Sequence, residues 1–599
     1  MPQATPFSRR RFVKSASMLA AGSVLPAWLP AQQTGALAQA PTLATPLTQF
    51  TYADVDLHSP LHEQQLNDHL DLLMSLSEDN LLKPIRQMAG RPAPGDDLGG
   101  WYTYDPHNID IEGAYAPACT FGQWVSALAR MYAIKRTPAI RDRLRRLNRL
   151  YAQALNSTYF EVNRFRTYSY DKLVCGLMDS HQFAQDPDAF SILEHTTDTA
   201  LPLLPGHALE NSSDESYTLS ENLFLAYQRG AGARYKVLGT AYLDDAYYDP
   251  LSAGHSNFAG RHAYSHVNSL SSAMQAYLTL GSRKHLRAAQ NGFEFLTQQS
   301  FATGGWGPNE TLQAPGSTDL YDSLTHTHNS FETPCGSYAH FKLTRYLLCA
   351  TGDSRYGDSM ERVMYNTILG AKPIRADGRT FYYADYNQQA QKVYSKRRWP
   401  CCSGTLPQVA ADYRISTYFR DARSVYANLY VPSVVRWQQG GAHIELTQTG
   451  NYPFESAVAF QFSLSKAADF ALNLRIPAWA LGAAVAVNGR RVGNAVIPGT
   501  FASIRRTWSS GDRVQLELPL TARLEAIDAA HFDTAALMSG PLVLFAIGKA
   551  PPTATRSQWL AMRKTGAQSW EVNGAAGPIR LLPFTAIADE PYSTYFRVS

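Results

Sequence analysis

The spacing of apolar residues changes once along this chain of 599 residues, near Arg420, and that change limits the folds it can adopt. Before this point apolar residues recur every three to four positions, as Leu66, Leu70 and Leu73 do, which is the period of a helix buried on one face. After it they alternate, as in 424–431, which is the period of a strand. The sequence therefore predicts a helical region followed by a β region.

Helical patterns extend over about 370 residues, joined by short turns that carry glycine, with almost no strands between them. We expect helices at 62–82, 121–135, 140–155, 173–185, 219–228, 233–243, 262–280, 282–298, 335–351 and 355–369. Paired helices over such a length are typical of an α/α toroid. A strict fixed period is not apparent, which disfavours a solenoid.

The second region has many short alternating segments, separated by turns such as Asn488-Gly489 and Gly511-Asp512, and these indicate a β-sandwich. An apolar strand at 541–547 introduces a tail that we interpret as a small β module. The chain is thus expected to be an α+β multidomain protein. The predicted segments are a twin-arginine signal peptide at 1–40, a linker at 41–60, the toroid at 61–420, the sandwich at 421–525 and the C-terminal module at 526–599.

The N-terminus has the features of an export signal. Arg9-Arg10-Arg11 precedes a mostly apolar stretch at 16–29, and small residues at 36–40 offer cleavage sites. The apolar stretch is too short, and too interrupted by Pro and Gly, to span a membrane. We therefore expect a periplasmic or secreted protein with no membrane span.

Charge and aromatic content narrow the class of partner. A net charge of +4 without a basic stripe disfavours a nucleic-acid partner. Aromatic residues make up 12% of the chain, which suits sugar-stacking clefts and equally suits ordinary cores, so this number alone decides nothing. Trp101 follows a Gly-Gly turn and is a candidate to line a cleft.

Two adjacent cysteines, Cys401 and Cys402, cannot readily form a disulfide with each other, because a disulfide needs separated Cα atoms. Their thiolates can instead share a metal such as zinc. Upstream, Glu332 and Cys335 offer a carboxylate and a third thiol at the predicted start of a helix, where the helix dipole lowers the pKa of a thiol. By spacing alone these four side chains form a plausible metal site, with buried inert cysteines as the alternative.

The export signal is compatible with such a site. Twin-arginine export moves folded proteins, so a zinc–thiolate site can be loaded before the chain reaches an oxidising periplasm. The remaining cysteines, Cys119, Cys175 and Cys349, fall within helical patterns or at their edges, and we interpret them as packing residues.

Two further groups are candidates for an active site. The Gly-rich turn 303–309 leads into Glu310, which we expect in a loop at the mouth of the toroid. A partly desolvated carboxyl group there can act as a general acid/base, although an ordinary loop glutamate is the alternative. His262 and His266 lie four residues apart on one helical face and can bind sugar hydroxyls, ligate a metal or pack.

Together these motifs resemble glycoside hydrolase family 127, the β-L-arabinofuranosidase family, once catalogued as a domain of unknown function. The resemblance covers about residues 60–546, and the double cysteine after an upstream glutamate and cysteine is its most specific mark. Its motifs include Thr303-Gly304-Gly305 with Glu310, Glu332-Thr333 with Cys335, Tyr170-Asp171-Lys172-Leu173, Phe381-Tyr382-Tyr383, Cys401-Cys402 and Leu474-Arg475-Ile476-Pro477-Ala478-Trp479.

The resemblance implies an (α/α)6 barrel followed by β-sandwich domains. It also implies a retaining glycoside hydrolase that uses Zn²⁺ and releases β-L-arabinofuranose, or a related furanose, from plant-derived glycans. The implied roles are zinc ligation by Glu332, Cys335, Cys401 and Cys402, nucleophilic attack by Cys401, acid/base catalysis by Glu310 and sugar binding by His262 and Tyr383.

The chain departs from the family pattern at two places. The family usually spaces its glutamate and first cysteine as Glu-x-Cys, whereas Pro334 makes the spacing here Glu-x-x-Cys. Many relatives carry a histidine pair where this chain has Cys119 and Gln123. The second departure indicates that the sugar pocket, and with it the substrate, can differ from those of relatives.

Two other functions are compatible with the same architecture. A polysaccharide lyase also pairs a toroid with β-sandwiches, and His262, His266 and Tyr383 could serve its proton abstraction, but a lyase gives no reason for the clustered cysteines. A non-catalytic glycan-binding protein with structural zinc requires a closed metal site and a remote Glu310.

Overall fold

The computed structural model describes residues 43–210, 213–493, 496–549 and 552–599. The predicted signal peptide at 1–40 lies outside these residues. Among the helices of the described ranges, none combines the length and the apolar character that crossing a membrane requires.

Seventeen α-helices occur in the described residues. They are α1 Pro60–Ser75, α2 Glu78–Met88, α3 Phe121–Lys135, α4 Pro138–Ala154, α5 Ser157–Val162, α6 Arg166–Ala184, α7 Ala189–Ala200, α8 Ser220–Gln228, α9 Ala233–Ala241, α10 Asp245–Ser252, α11 Ala263–Leu280, α12 Arg283–Thr297, α13 Asp319–His326, α14 Thr333–Thr351, α15 Arg355–Asn366, α16 Cys402–Thr417 and α17 Arg556–Leu560.

Six of these helices form a closed inner ring and are buried on nearly all sides. In order around the ring they are α3, α6, α8, α11, α14 and α16, and α16 packs back against α3. An outer helix backs each one: α4, α7, α9, α12 and α15 follow the first five, and α1 backs α16. The outer helices bury a single stripe, such as Ile140, Leu144 and Leu147 of α4. The expected (α/α)6 barrel is therefore confirmed.

The predicted helices differ from the observed helices at several places. The predicted helix 62–82 is two helices, because the backbone is extended at Leu76 and Ser77. The expected helices do not include α5, α7, α10, α13, α16 or α17. In α16 almost every residue is buried, polar ones included, so an apolar stripe with a period of 3.6 is absent.

Twenty-two strands occur in the described residues. They are β1 Thr48–Gln49, β2 Val55–Leu57, β3 Phe331–Glu332, β4 Tyr383–Ala384, β5 Tyr418–Arg420, β6 Ser424–Ala427, β7 Ser433–Gln439, β8 Ala442–Gly450, β9 Ala457–Leu464, β10 Ala468–Ile476, β11 Ala484–Val487, β12 Arg490–Arg491, β13 Thr500–Trp508, β14 Arg513–Glu517, β15 Ala522–Ala526, β16 Thr534–Ser539, β17 Leu542–Ile547, β18 Arg563–Gly566, β19 Ser569–Gly574, β20 Gly577–Pro583, β21 Tyr592–Ser593 and β22 Phe596–Arg597.

Two sheets follow the toroid and face each other. Their strand orders are β1-β5-β6-β10-β13 and β12-β11-β14-β9-β8-β7-β2. Aromatic rings interlock between the sheets: Trp437 of β7 and Phe462 of β9 each lie 5.7 Å from the ring of Phe470 in β10. The β-sheet region that the alternating pattern predicted is confirmed.

The segment 41–60, which we expected to be a linker, contributes an edge strand to each of these sheets. Strand β1 pairs with β5 and strand β2 pairs with β7, both antiparallel. Strands of two or three residues are too short to show an alternating pattern, so the sequence did not reveal them.

The C-terminal residues form a third sheet of eight strands, β15-β16-β17-β20-β19-β18, with β21 beside β17 and β22 beside β16. Strand β15 already belongs to this sheet, so the sheet begins slightly before the predicted start at residue 526. The sheet is fixed to the toroid by buried contacts. Lys392 Nζ donates to the carbonyl oxygens of Gly370, Phe584 and Ile587 at 2.6–2.8 Å.

Candidate active site

A cavity of about 420 Å³ opens at the end of the ring where the inner helices begin. Residues at or just before the first turns of five inner helices line it: Cys119, Tyr168, Tyr217, His262 and Cys401. Helix N-termini carry partial positive charge and favour anionic groups. This end of the toroid is therefore suited to thiolates and carboxylates.

The four predicted metal ligands come together in the wall of this cavity. Oε1 of Glu332 lies 3.4 Å from the sulfur of Cys401 and 3.4 Å from that of Cys402. The sulfur of Cys335 lies 3.4 Å from that of Cys402. One ligand atom from each residue lies within 4.8 Å of all the others.

The Glu-x-x-Cys spacing does not prevent this arrangement. Glu332 lies in β3 immediately before α14, and Cys335 is the third residue of that helix. Residues three apart at a helix start project to the same side, so both side chains reach one point. The helix begins at Thr333, two residues before the predicted start at 335, and Pro334 lies within its first turn.

The chemistry of the four side chains fits a metal ion. Oε2 of Glu332 is buried and has no hydrogen-bond partner among the described residues. Sulfur ligands about 2.3 Å from a tetrahedral ion lie roughly 3.8 Å apart, close to the separations found here. A second group, His262, Glu310 and Glu332, shares the same glutamate but contains no thiol. The cysteine-containing group can therefore bind a metal, with a preference for an ion that accepts thiolates.

Cys401 differs from its two neighbours in exposure and in pKa. It is half-buried and lines the cavity, whereas Cys335 and Cys402 are buried and do not. Hydrogen bonds with Cys335 and Cys402 hold the pKa of Cys401 well below its ordinary value. Burial raises the pKa of Cys335 and of Cys402 well above theirs. Of the three thiols, the one that faces the cavity is thus the most easily deprotonated.

The turn that leads into α16 fixes Cys401 in this position. Trp399 adopts a left-handed backbone with φ 50°, which is uncommon for a bulky residue. Its indole is buried, donates from Nε1 to the carbonyl of Leu98 at 3.0 Å and packs edge-on against Trp124. A Cβ on Gly378 would lie 2.3 Å from this indole, so only glycine fits there.

Glu310 is presented by the predicted Gly-rich turn. Gly307 has φ 71°, and a Cβ there would lie 2.4 Å from the Cβ of Ala263, so the turn packs tightly on the start of α11. Asn309 and Glu310 themselves adopt left-handed backbone with φ 53° and 58°. Consecutive strained residues of this kind concentrate at functional sites.

Three side chains contact the carboxylate of Glu310. The hydroxyl of Tyr383 donates to Oε1, Arg397 Nη1 donates to Oε1 at 3.1 Å, and Nε2 of His262 lies 3.3 Å from Oε2. Burial alone would raise the pKa of Glu310, but the hydrogen bonds from His262 and Tyr383 and the charge of Arg397 lower it to about 2. Glu310 is therefore a carboxylate in the free protein.

His262 is oriented by the helix that it caps. Its Nδ1 lies 2.7 Å from the Ser265 hydroxyl and its Nε2 lies 3.3 Å from Glu310. Burial lowers the pKa of His262, but the hydrogen bond to Glu310 and the charges of Glu215 and Glu310 raise it above its ordinary value. His266 also lines the cavity but is buried, stacks on Tyr217, and has a pKa lowered by burial to about 3. Only His262 is thus placed to exchange a proton with Glu310.

Of the two other residues predicted at the site, Trp101 lines the cavity and Tyr383 does not. Tyr383 contacts Glu310 but does not line the cavity, whereas its neighbour Tyr382 does and places its hydroxyl 3.7 Å from the Cys401 sulfur. Sugar binding by Tyr383 stays a prediction. Trp101 lines the cavity as expected.

Of the two residues that stand where relatives carry a histidine pair, Cys119 lines the cavity and Gln123 does not. Gln123 is buried in the packing of α3 against α16, and a Cβ on Gly404 would lie 2.3 Å from its Oε1. The substitution at Cys119 therefore bears on the sugar pocket, while Gln123 bears on helix packing.

Sequence reasoning missed several residues that line the cavity. These are Tyr168, Glu215, Tyr217, Tyr264, Tyr382 and Arg397. Tyr382 lies within the motif Phe381-Tyr382-Tyr383, and Arg397 lies four residues before Cys401, so both could have been proposed as candidates from these motifs. Glu215 lies in an irregular loop before a short turn of 3-10 helix, and no local pattern distinguishes it.

Two protein-family models match this chain. The model of the GH127 β-L-arabinofuranosidase catalytic domain matches residues 54–414, and that of the GH127 middle domain matches 424–520. The chain belongs to glycoside hydrolase family 127. It is a β-L-arabinofuranosidase-like glycoside hydrolase, and its family implies a glycoside substrate. No curated protein sequence matches it.

Solved structures show the same fold at low identity. A GH127 β-L-arabinofuranosidase of Geobacillus stearothermophilus T6 is 19% identical, with a TM-score of 0.71 over 91% of this chain and 100% of the other. A second GH127 β-arabinofuranosidase is 16% identical, with a TM-score of 0.75 over 93% and 98%. A structure described as a glycoside hydrolase is 16% identical, with a TM-score of 0.68 over 92% and 98%.

Proposed function

We propose that this protein is an exported, zinc-dependent, retaining β-L-arabinofuranosidase that releases β-L-arabinofuranose from plant-derived glycans, with Cys401 as nucleophile and Glu310 as acid/base. One observation carries the assignment of Cys401. Among the three clustered cysteines, it alone has a side chain that lines the cavity, and Glu310 lines the same cavity. Membership of the family supports the substrate class.

The metal has a limited and definite role in this proposal. Zinc held by Glu332, Cys335, Cys401 and Cys402 would keep the Cys401 sulfur in its thiolate form at neutral pH and make it a better leaving group. The orphan oxygen of Glu332 and the three clustered sulfurs support that ligand set.

The reaction then proceeds in two displacements. The Cys401 sulfur forms a bond to the anomeric carbon while the bond to the departing oxygen breaks, and Glu310 gives its proton to that oxygen. In the second step Glu310 takes a proton from water, the water oxygen bonds to the anomeric carbon, and the Cys401 thiolate leaves. Two inversions at one carbon give net retention.

The contacts of Glu310 indicate how it is prepared for both steps. Its ionised form in the free protein is the form that the second step needs. For the first step it must gain a proton, and the His262 imidazolium, whose Nε2 lies 3.3 Å away, can supply one and become a neutral imidazole. This gives His262 a part in the proton transfer as well as in sugar binding.

Export is proposed from residues 1–40, whose twin-arginine pattern and small-residue cleavage sites motivated the expectation. A periplasmic or secreted location suits an enzyme that acts on polymeric glycans. Detecting the mature protein, lacking these residues, outside the cytoplasm would test the location.

The function is tested with protein purified without added metal. We expect about one zinc per chain by elemental analysis. We also expect hydrolysis of an aryl β-L-arabinofuranoside, with NMR showing the β anomer as the first product and no unsaturated product by absorbance. Absence of metal while the thiols remain free would remove the zinc mechanism, and no activity on a panel of arabinosides would remove the proposed substrate.

A further inference from the structure

Three buried polar atoms in the cavity have no hydrogen-bond partner in the described part of the chain, and the mechanism above uses none of them. They are Oε2 of Glu215 and the hydroxyls of Tyr168 and Tyr264. Tyr168 is 7% exposed, Tyr264 is 2% exposed and the Glu215 side chain is 12% exposed. Buried polar atoms without a partner are costly, so each needs an explanation.

These three side chains line the same cavity as Cys401. Tyr168 lies beside the loop that carries Glu215, because its backbone N–H donates to Asp214, the residue before Glu215, at 3.1 Å. A sugar whose anomeric carbon meets Cys401 would place its other ring substituents among these groups.

The position of Glu215 is held by its neighbours. It adopts left-handed backbone with φ 49°. The preceding Asp214 accepts hydrogen bonds from the backbone N–H groups of Thr167 and Tyr168, and the Glu215 carbonyl accepts one from Thr218 at 3.0 Å. These hydrogen bonds on either side of Glu215 hold its strained backbone conformation in place. Strained residues held in this way are common at binding sites.

One oxygen of Glu215 remains available to a ligand. His262 approaches the other, with Nδ1 3.9 Å from Oε1, and Lys172 Nζ is bound to Asp171 at 2.7 Å and lies over the Tyr168 ring. Oε2 of Glu215 has no partner in the described ranges. The carboxylate therefore keeps acceptor capacity that a ligand can use.

We infer that Glu215, together with Tyr168 and Tyr264, forms a hydroxyl-binding arm of the sugar site, and that Glu215 determines which glycone the cavity accepts. The inference rests on the proposed glycosidase function. A carboxylate accepts hydrogen bonds, and phenols donate and accept them, so the arm complements an unsubstituted sugar with free hydroxyls.

The charges facing this arm narrow the substrate further. Glu310 and Glu332 are also acidic, and the Arg397 guanidinium is engaged with Glu310. A uronate or sulfated ring would place a further negative charge beside Glu215, and in the described lining of the cavity Arg397 and His262 already contact Glu310. The arm therefore selects a neutral terminal sugar whose hydroxyls are neither acylated nor extended.

A double comparison of variant and substrate tests the contact. Wild type and Glu215→Gln are assayed on an aryl β-L-arabinofuranoside and on its 2-deoxy, 3-deoxy and 5-deoxy analogues. In wild type, deleting the hydroxyl that Glu215 binds should lower kcat/KM about 10- to 100-fold, the range of a hydrogen bond to a charged group. For Glu215→Gln, kcat/KM on the parent substrate should fall by a similar factor. Its kcat/KM on that deoxy analogue should be only slightly lower than on the parent substrate, because the hydrogen bond is already lost.

Control variants separate this contact from a fold effect. Glu361 is another buried glutamate with an orphan oxygen, but it lies outside the cavity, bound to Arg475 and Tyr452. Glu361→Gln should show the wild-type response to every deoxy analogue. Should Glu215→Gln fail to fold, Tyr168→Phe and Tyr264→Phe provide the same test through their own hydroxyls.

The outcomes are distinct. If removing the sugar hydroxyl no longer lowers kcat/KM in Glu215→Gln, or in a folded Tyr→Phe variant, the hydroxyl-binding arm is supported. If its removal lowers kcat/KM equally in wild type and in all folded arm variants, the inference is overturned and the proposed glycosidase function is unaffected. If wild type hydrolyses none of the arabinofuranosides, the proposed function fails and the inference fails with it.

Discussion

Two groups of buried acids occupy the two halves of the toroid interior, and they are partnered differently. In the half away from the cavity, each carboxylate oxygen of Asp179 and of Asp412 has a partner, and Arg130 bridges the two residues. In the cavity half, Glu215 and Glu332 each keep an oxygen with no partner in the described ranges. Helix α16 reaches both halves, because Asp412 follows Cys402 by ten residues, about 15 Å along the axis.

The pKa values of the two groups differ in the same way. Burial would raise the pKa of Asp412, but the charges of Arg130 and Arg345 lower it below its usual value. Burial raises the pKa of Glu215 to about 7, because the opposing effects of His262 and Lys172 are weaker. A buried acid whose oxygens are all paired has no capacity left for a ligand, whereas one with an unpaired oxygen facing a cavity marks a place for a ligand.

The largest expected effect is at the cavity end. Cys401→Ser should lower kcat by about 10,000- to 1,000,000-fold and stay inactive at any zinc concentration, because a serine hydroxyl is a poorer nucleophile and leaving group than a thiolate. Cys402→Ser should instead lose metal and regain part of its activity in excess zinc. An electrophilic arabinofuranose analogue should label Cys401, as peptide mapping would show, and a label on Glu332 would move the nucleophile to the carboxylate.

Glu310→Gln should lower kcat by about 100- to 10,000-fold on glycosides with poor leaving groups, because their departure needs a proton. The loss should be smaller on activated aryl glycosides. Steady-state kinetics on a series of leaving groups gives the comparison. Equal losses across the series would assign Glu310 to binding or to structure.

Breaking the paired half should affect stability and leave substrate binding unchanged. Asp412→Asn leaves Arg130 and Arg345 without part of their counter-charge and should lower the free energy of unfolding by about 3–5 kcal/mol. Denaturant unfolding measures the loss, and KM of the folded fraction should stay at the wild-type value. A changed KM with unchanged stability would show that the two halves are not separate in function.

The smallest expected effect is on how the free energy of unfolding depends on pH, where Glu215 and Asp412 should contribute in opposite directions. Since the pKa of Glu215 is raised to about 7, above its value of about 4.3 in an unfolded chain, its contribution to the free energy of unfolding falls as pH rises through that interval. Glu215→Gln should therefore be about 1–2 kcal/mol more stable than wild type at pH 8, and little different at pH 4.5. The pKa of Asp412 is lowered, so its contribution is present above about pH 3.9 and is lost only below it. Unfolding curves of both variants across pH test the two signs, and parallel pH profiles of Glu215→Gln and wild type would contradict the first.

Much of the fold could be predicted from the sequence because long helices and sandwich strands carry regular apolar periods. The toroid and the β region followed from those periods. Where the burial is uniform, as in α16, or where the strands have two or three residues, as in β1, the pattern vanishes and the prediction missed the element. The edge strands at 48–57 depend on partners more than 350 residues away, which no local pattern reports.

The sequence by itself identified the four residues that can bind a metal, because two adjacent cysteines with an upstream glutamate and cysteine form a rare combination of ligand chemistry. It also identified the Gly-rich turn that presents Glu310. Only the tertiary structure decided that Cys401 faces the cavity while Cys402 is buried, that Tyr382 faces Cys401 while Tyr383 contacts Glu310, and that Glu215 has an oxygen without a partner. The physical reason is that residue type fixes which bonds a side chain can make, whereas exposure and partnering depend on where the ring of helices closes around it.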